Sequence, residues 1–215
     1  TVSVTVNSDT DFESDETVGI TFSGTGLAAN VAATGTITND DTNPDRVETA
    51  FTLTGNADTG AGFVGTSVSN AYNATLATLT AGDSLDGADG DDTLVVTANI
   101  TDNTNTAGFT ASNIEAMTVN VSDGDVANNE TATINMLSVD SVSSINVSGA
   151  TTTTQADTAA FTNVQNNAAI NISNNTNVNT NVSFAATVVA GTADTAAIAL
   201  SNSTAAAAGD GVITL

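Results

Sequence analysis

The chain has no cysteine, histidine, lysine or tryptophan, and a single arginine, Arg46, against 24 acidic residues. Each absence closes a class of chemistry. Without Cys there is neither a disulfide framework nor a thiolate metal site. Without His and Lys, His-based triads, Schiff-base chemistry, phosphate clamps and the usual zinc sites lack the residues that carry them. Affinity for nucleic acid comes from Lys and Arg neutralising phosphate, so a net charge of −23 excludes that partner on electrostatic grounds. The same charge opposes contact with an anionic membrane, and no apolar run approaches the roughly 18–20 residues that span a bilayer, so no direct membrane insertion is expected. No charged and hydrophobic leader opens the chain; Thr1–Val6 reads instead as a strand in progress, as in a piece of a longer polypeptide.

What is present is 40% hydrophobic content, rich in β-branched residues and diluted with Thr, Ser and Asn. That composition suits strands and weakens helices, and the expectation is an all-β protein. Only Val68–Leu79 is compatible with a short helix. From Leu94 onward the sequence repeats itself. Leu94/Val96/Thr97 aligns with Val119/Val121/Ser122, Ile145/Val147/Ser148, Ile170/Ile172/Ser173 and Ile198/Leu200/Ser201, the hydroxyl residues spaced by 25, 26, 25 and 28. In each, both apolar side chains fall on one face of a strand. A second apolar column follows at Phe109, Ile134, Phe161, Val182 and Ile213. Self-similarity at such a period marks a solenoid, in which stacked coils bury a face that one coil cannot. Residues 80–215 therefore read as a parallel β-solenoid or a solenoid-like stack of sheets, with an irregular β-sandwich as the alternative. Stacked Thr, Ser and Asn can also bond to one another along the axis.

Ser84–Leu94 concentrates the acidic chemistry. Asp83, Asp86, Asp89, Asp91 and Asp92 lie within ten positions, interleaved with Gly82, Gly87 and Gly90. Like charges a few ångströms apart cost about 1 kcal/mol per pair even in water. A hard divalent cation relieves that cost, and Gly lets carbonyls join the shell. Residues 87–95 (GADGDDTLV) resemble the calcium-binding nonapeptide G-G-x-G-x-D-x-U-x of RTX proteins: Gly87, Gly90, Asp92 and Leu94 match, and Ala88 replaces a glycine. Nine residues upstream only Asp83 and Leu85 match, so the resemblance implies a calcium clip on a larger body.

Residues 1–41 resemble the carboxy-terminal half of a Calx-beta domain. Asp11–Thr17 (DFESDET) and Gly35–Asp41 (GTITNDD) carry the likeness. It implies a partial calcium-binding β-sandwich with strands at 2–6, 17–22 and 31–38 and ligands among Asp11, Glu13, Asp15, Glu16, Asp40 and Asp41, the rest of the sandwich lying upstream or supplied by another copy. Residues 42–50, with the only proline, Pro44, read as a linker, and 51–79 as a β or irregular connection. In general form the chain resembles bacterial surface-layer proteins and large repeat adhesins. That implies a type I secreted, cell-surface, non-enzymatic structural protein that binds Ca2+ and associates with other copies of itself. A glycan- or receptor-binding adhesin, engaging surface polysaccharide, is the alternative, and a polysaccharide-degrading solenoid enzyme a weaker one. The stretch from Thr158 to Ala193 has no charged residue, so it lacks the usual guard against packing between copies. The Asn-x-Ser/Thr triplets arise from composition and are assigned no function.

Overall fold

The computed structural model describes residues 16–25, 30–37, 49–106, 108–123, 129–150, 156–190, 195–203 and 212–214. It divides into two compact units, Thr1–Arg46 and Val47–Leu215. In the first, β1 (Glu16–Phe22) pairs antiparallel with β2 (Val31–Ile37), with Glu16 opposite Ile37 and Phe22 opposite Val31. The strand expected at 2–6 and the acidic residues Asp11, Glu13, Asp15, Asp40 and Asp41 lie outside the described residues, as does the side chain of Glu16.

The second unit is a parallel β-solenoid. Its strands run β3 (Thr49–Thr52), β4 (Asn70–Thr75), β5 (Ser84–Asp86), β6 (Thr93–Ile100), β7 (Thr104–Asn105), β8 (Thr110–Ser112), β9 (Ala116–Asp123) and β10 (Thr131–Asn135). They continue as β11 (Ser138–Val139), β12 (Ser144–Ala150), β13 (Thr158–Val164), β14 (Ala169–Thr176), β15 (Asn179–Phe184), β16 (Ile198–Ser201) and β17 (Ile213–Thr214). A seven-stranded sheet takes β3, β4, β6, β9, β12, β14 and β16 in that spatial order, a five-stranded sheet β7, β10, β13, β15 and β17, and a three-stranded sheet β5, β8 and β11. Every neighbouring pair in these three sheets is parallel.

Alternation places one face of each strand inside. Tyr72, Leu94, Met117, Ile145 and Ile170 stack as one buried column of the large sheet, and Ala74, Val96, Val119, Val147 and Ile172 as the next. Each buried Leu, Ile, Val or Met among them contributes about 1.5–3 kcal/mol by leaving water. The columns end on Ile198 and Leu200, which are 44% and 61% exposed. The outer face bonds along the axis as the sequence leads one to expect. Asn171 Nδ2 donates to Asn146 Oδ1 (2.9 Å) and Ser148 Oγ to Asn120 Oδ1 (2.8 Å), while Asn163 Nδ2 on the five-stranded sheet donates to Asn135 Oδ1 (3.0 Å).

Four details differ from the sequence reading. The stack begins at Thr49 rather than at residue 80, because β3 and β4 already pair in the large sheet. Val68–Leu79 is no helix: Asn70–Thr75 is a strand, its inward side chains Tyr72 and Ala74 supplying a period of two. Val119 stacks on Val96 and Val147, so the coil contributes Met117/Val119 where Val119/Val121 was expected. A slip of two keeps every side chain on its own face, which is why periodicity alone missed it. In the second column Ile134, Phe161 and Val182 are in register, whereas Ile213 pairs with Thr180 and Phe109 precedes β8 of another sheet.

Candidate functional site: carboxylates at the strand starts

Five acidic residues of the solenoid, Asp83, Asp92, Glu115, Glu130 and Asp157, share one recurrent position, the residue just before a strand. There the ladder of backbone hydrogen bonds has to continue around a corner, and a carboxylate from one coil accepts a backbone N–H of the coil beside it. Asp83, before β5, accepts Asp58 N–H (3.0 Å), and both of its oxygens are also bonded by Thr80, through N–H (2.7 Å) and Oγ1–H (2.9 Å). Asp58 in turn accepts Thr54 N–H (2.6 Å) and Thr54 Oγ1–H (2.9 Å). Both are buried and fully supplied with donors, the condition under which a buried carboxylate is tolerated.

The column before the large sheet is less complete. Asn70, Asp92, Glu115 and Ser143 stand abreast, Asn70 as the first residue of β4 and the others one residue ahead of β6, β9 and β12. Asp92 Oδ1 accepts Asn70 N–H (2.5 Å) and Nδ2–H (2.9 Å), and Asp92 N–H donates to Glu115 Oε2 (2.7 Å). Asp92 is 1% exposed, yet its Oδ2 has no hydrogen-bond partner. Burial pushes the Asp92 carboxyl above the ordinary carboxylate range, the bonds from Asn70 oppose this, and the nearby negative charges of Glu115 and Asp91 add to it. Gly87 packs so closely against Asn113 O and Asp92 Oδ2 that no Cβ fits between.

Asp86 is held differently. Its Oδ1 accepts Asn113 Nδ2–H (2.8 Å) and Ala88 N–H (3.1 Å), and those two bonds, Asn113 first, hold its carboxyl below the ordinary range. Its carbonyl accepts Tyr72 Oη–H at 2.6 Å. Burial, with Asp92 and Asp86 nearby, keeps that phenol protonated. Asp89 and Asp91 are exposed. Ala88, at the motif's missing glycine, sits at φ 65° and Gly90 at φ 119°, the left-handed region that glycine enters at no steric cost.

The turn therefore separates its five aspartates: Asp83 and Asp92 point inward at two strand starts nine residues apart, Asp86 closes the turn, and Asp89 and Asp91 face solvent. Among the described residues no three acidic side chains converge on a position where they could share one metal ion. Within this turn the buried carboxylate oxygen without a hydrogen-bond partner is Asp92 Oδ2. Asp58, Asn70 and Glu115 were not singled out from the sequence. The signal was there: Glu115 follows Asp92 by one coil of 23 residues, each acidic residue standing directly before an alternating strand.

With metal chelated, the two shifts give opposite pH dependences. Asp92, raised in the fold, binds its proton more readily folded than unfolded, so stability rises as pH falls from neutrality toward 3.8. Asp86, lowered in the fold, contributes stability above 3.8 that is lost only as pH falls further, through its folded pKa. Asp92→Asn is thus expected to flatten the rise of the thermal midpoint between neutrality and the unperturbed carboxylate pKa. An unchanged slope would contradict the assignment.

A shallow depression of about 330 Å³ on the solenoid wall is lined by Thr75, Leu76, Ala77, Thr97, Asn99, Thr101 and Thr104, none of them ionisable. Among the described residues no helix is long and apolar enough to cross a membrane. No protein-family model, no curated protein and no solved structure matches this chain.

Proposed function

We propose that the chain is a non-enzymatic structural module of the bacterial cell exterior, stiffened by Ca2+ and built to associate with other copies of itself. One observation carries this reading. Its side-chain chemistry is spent on the stack itself: apolar columns within, amide and hydroxyl ladders outside, and carboxylates joining coil to coil at the corners. The strands Thr93–Ile100, Ser144–Ala150 and Ala169–Thr176 carry no charged side chain. A regular, uncharged sheet face lacks the electrostatic guard that keeps acidic proteins apart, and this supports association through it.

The calcium reading rests on charge. Residues 47–215 contain no Lys, Arg or His, so nothing in the solenoid's own sequence offsets its buried carboxylates. Asp92, with Glu115 abreast of it on the next coil, would hold the ion at the nonapeptide turn, and the ion would supply the positive charge the column lacks. Extracellular calcium sites bind at about 10⁻⁴–10⁻³ M, which suits a module ordered on leaving the cell. In the partial Calx-beta segment, Asp11, Glu13, Asp15, Glu16, Asp40 and Asp41 remain the proposed ligands. Electron microscopy of the purified chain in millimolar Ca2+ tests the assembly. Ordered sheets or filaments that dissolve in EGTA are expected; dispersed single particles at every calcium concentration would overturn self-association.

A further inference from the structure

The corner that opens the five-stranded sheet holds a second acidic pair, outside both calcium-family resemblances. Glu130 and Asp157 precede β10 and β13, and the register Thr131↔Thr158 sets them abreast on neighbouring coils, about 4.8 Å apart along the axis. Alternation puts Glu130 on the face of the buried Ala132 and Ile134, and Asp157 on that of Ala159 and Phe161, so both point into the solenoid. They are 5% and 0% exposed. Glu130 N–H donates to Asp157 Oδ1 at 3.0 Å, the coil-to-coil bond found at the other corners. Unlike Asp83, however, Glu130 keeps a buried oxygen, Oε2, with no hydrogen-bond partner. One coil on, Asn175 also buries an unpartnered Oδ1, while its Nδ2 donates to the carbonyl of Val178 (3.1 Å), the residue abreast of Asp157.

We propose that this corner is an internal cation site, with Glu130 and Asp157 supplying two carboxylates to one hard divalent ion. Two carboxylates held side by side in the interior are costly as anions without a cation to neutralise them, and residues 47–215 have no basic side chain to serve. Ca2+ fits better than Mg2+. It accepts an irregular shell of carboxylate, amide and carbonyl oxygens, whereas Mg2+ demands a strict octahedron and keeps its waters. The site deepens the calcium reading above by placing an ion within the stack, where it would clamp two coils.

The test is equilibrium dialysis of the whole chain against millimolar Ca2+, counting bound ions per chain. Glu130→Gln and Asp157→Asn keep side-chain shape and remove charge. Each is expected to bind one ion fewer than the wild type and to melt at a higher temperature than the wild type in EGTA, because the repulsion is gone. Asp92→Asn should leave the pair's ion in place. Should Glu130→Gln not fold, Asp157→Asn on the next coil reads the same count. A wild type that binds calcium while both variants retain its full count overturns the internal site and leaves the calcium reading standing. A wild type that binds no calcium overturns both.

Discussion

Gly149→Ala is expected to cost more than about 4 kcal/mol, the range reached only when a substitution breaks a backbone or core feature. Gly149 lies in β12 at φ 145°, where L side chains are strained. An added Cβ would stand 2.7 Å from Val121 C and 2.8 Å from its N, and nearer still to its O. These are backbone atoms of the adjoining strand, paired with β12 through Gly149↔Val121 itself, so no rotamer change can make room. The register of β12 against β14 also shifts between Val147 and Gly149, which fixes the local geometry from the other side. Because about 1 kcal/mol moves the midpoint of a domain this size by about 2–4 °C, the fall should exceed about 8 °C. Gly108→Ala is the control. There the nearest atom to a new Cβ is Asn135 Nδ2 at 3.8 Å, and the midpoint should barely move.

Phe161→Ala should cost about 3–5 kcal/mol, the usual range for emptying a buried aromatic position. Phe161 is 1% exposed and sits between Ile134 and Val182 on the neighbouring strands of the five-stranded sheet. Its loss opens a cavity between coils rather than at an end. In a stack where each coil touches only its neighbours, stability is a chain of interface terms, and weakening an internal one lets the two halves melt separately. The signature is therefore a lower midpoint together with a broader urea transition of smaller apparent m-value. A lower midpoint with an unchanged m-value would mean that the solenoid melts as one cooperative block.

The strand positions were legible wherever apolar and polar residues alternate next to a hydroxyl. Ile145/Val147, Ile170/Ile172 and Ile198/Leu200 stack on one another as their spacing implies. Alternation reports which face a residue occupies, not its place along the axis, so a slip of two at Val119 escaped it. Tyr72 and its strand were hidden by the Asn and Thr of NAYNAT, although Tyr72 is fully buried and stacked on Phe51 at 4.7 Å. The dense aspartate turn drew attention to Asp83 and Asp92, which the fold does bury. Glu130 and Asp157 passed unnoticed because each stands alone among polar residues. Only their separation of 27 residues, one coil, joins them. Local acidic density marked a turn; burial picked out residues one repeat apart.

On the proposed reading, the buried carboxylates with an unpartnered oxygen, Asp92 and Glu130, are stabilised by an external cation. Thermal unfolding of the whole chain, followed by far-UV circular dichroism in millimolar Ca2+ and again in EGTA, tests it most directly. A midpoint higher in Ca2+ by at least about 6 °C is expected, equivalent to about 2–3 kcal/mol of ion binding. Identical melting curves in the two buffers, with the same β signal before melting, would contradict it.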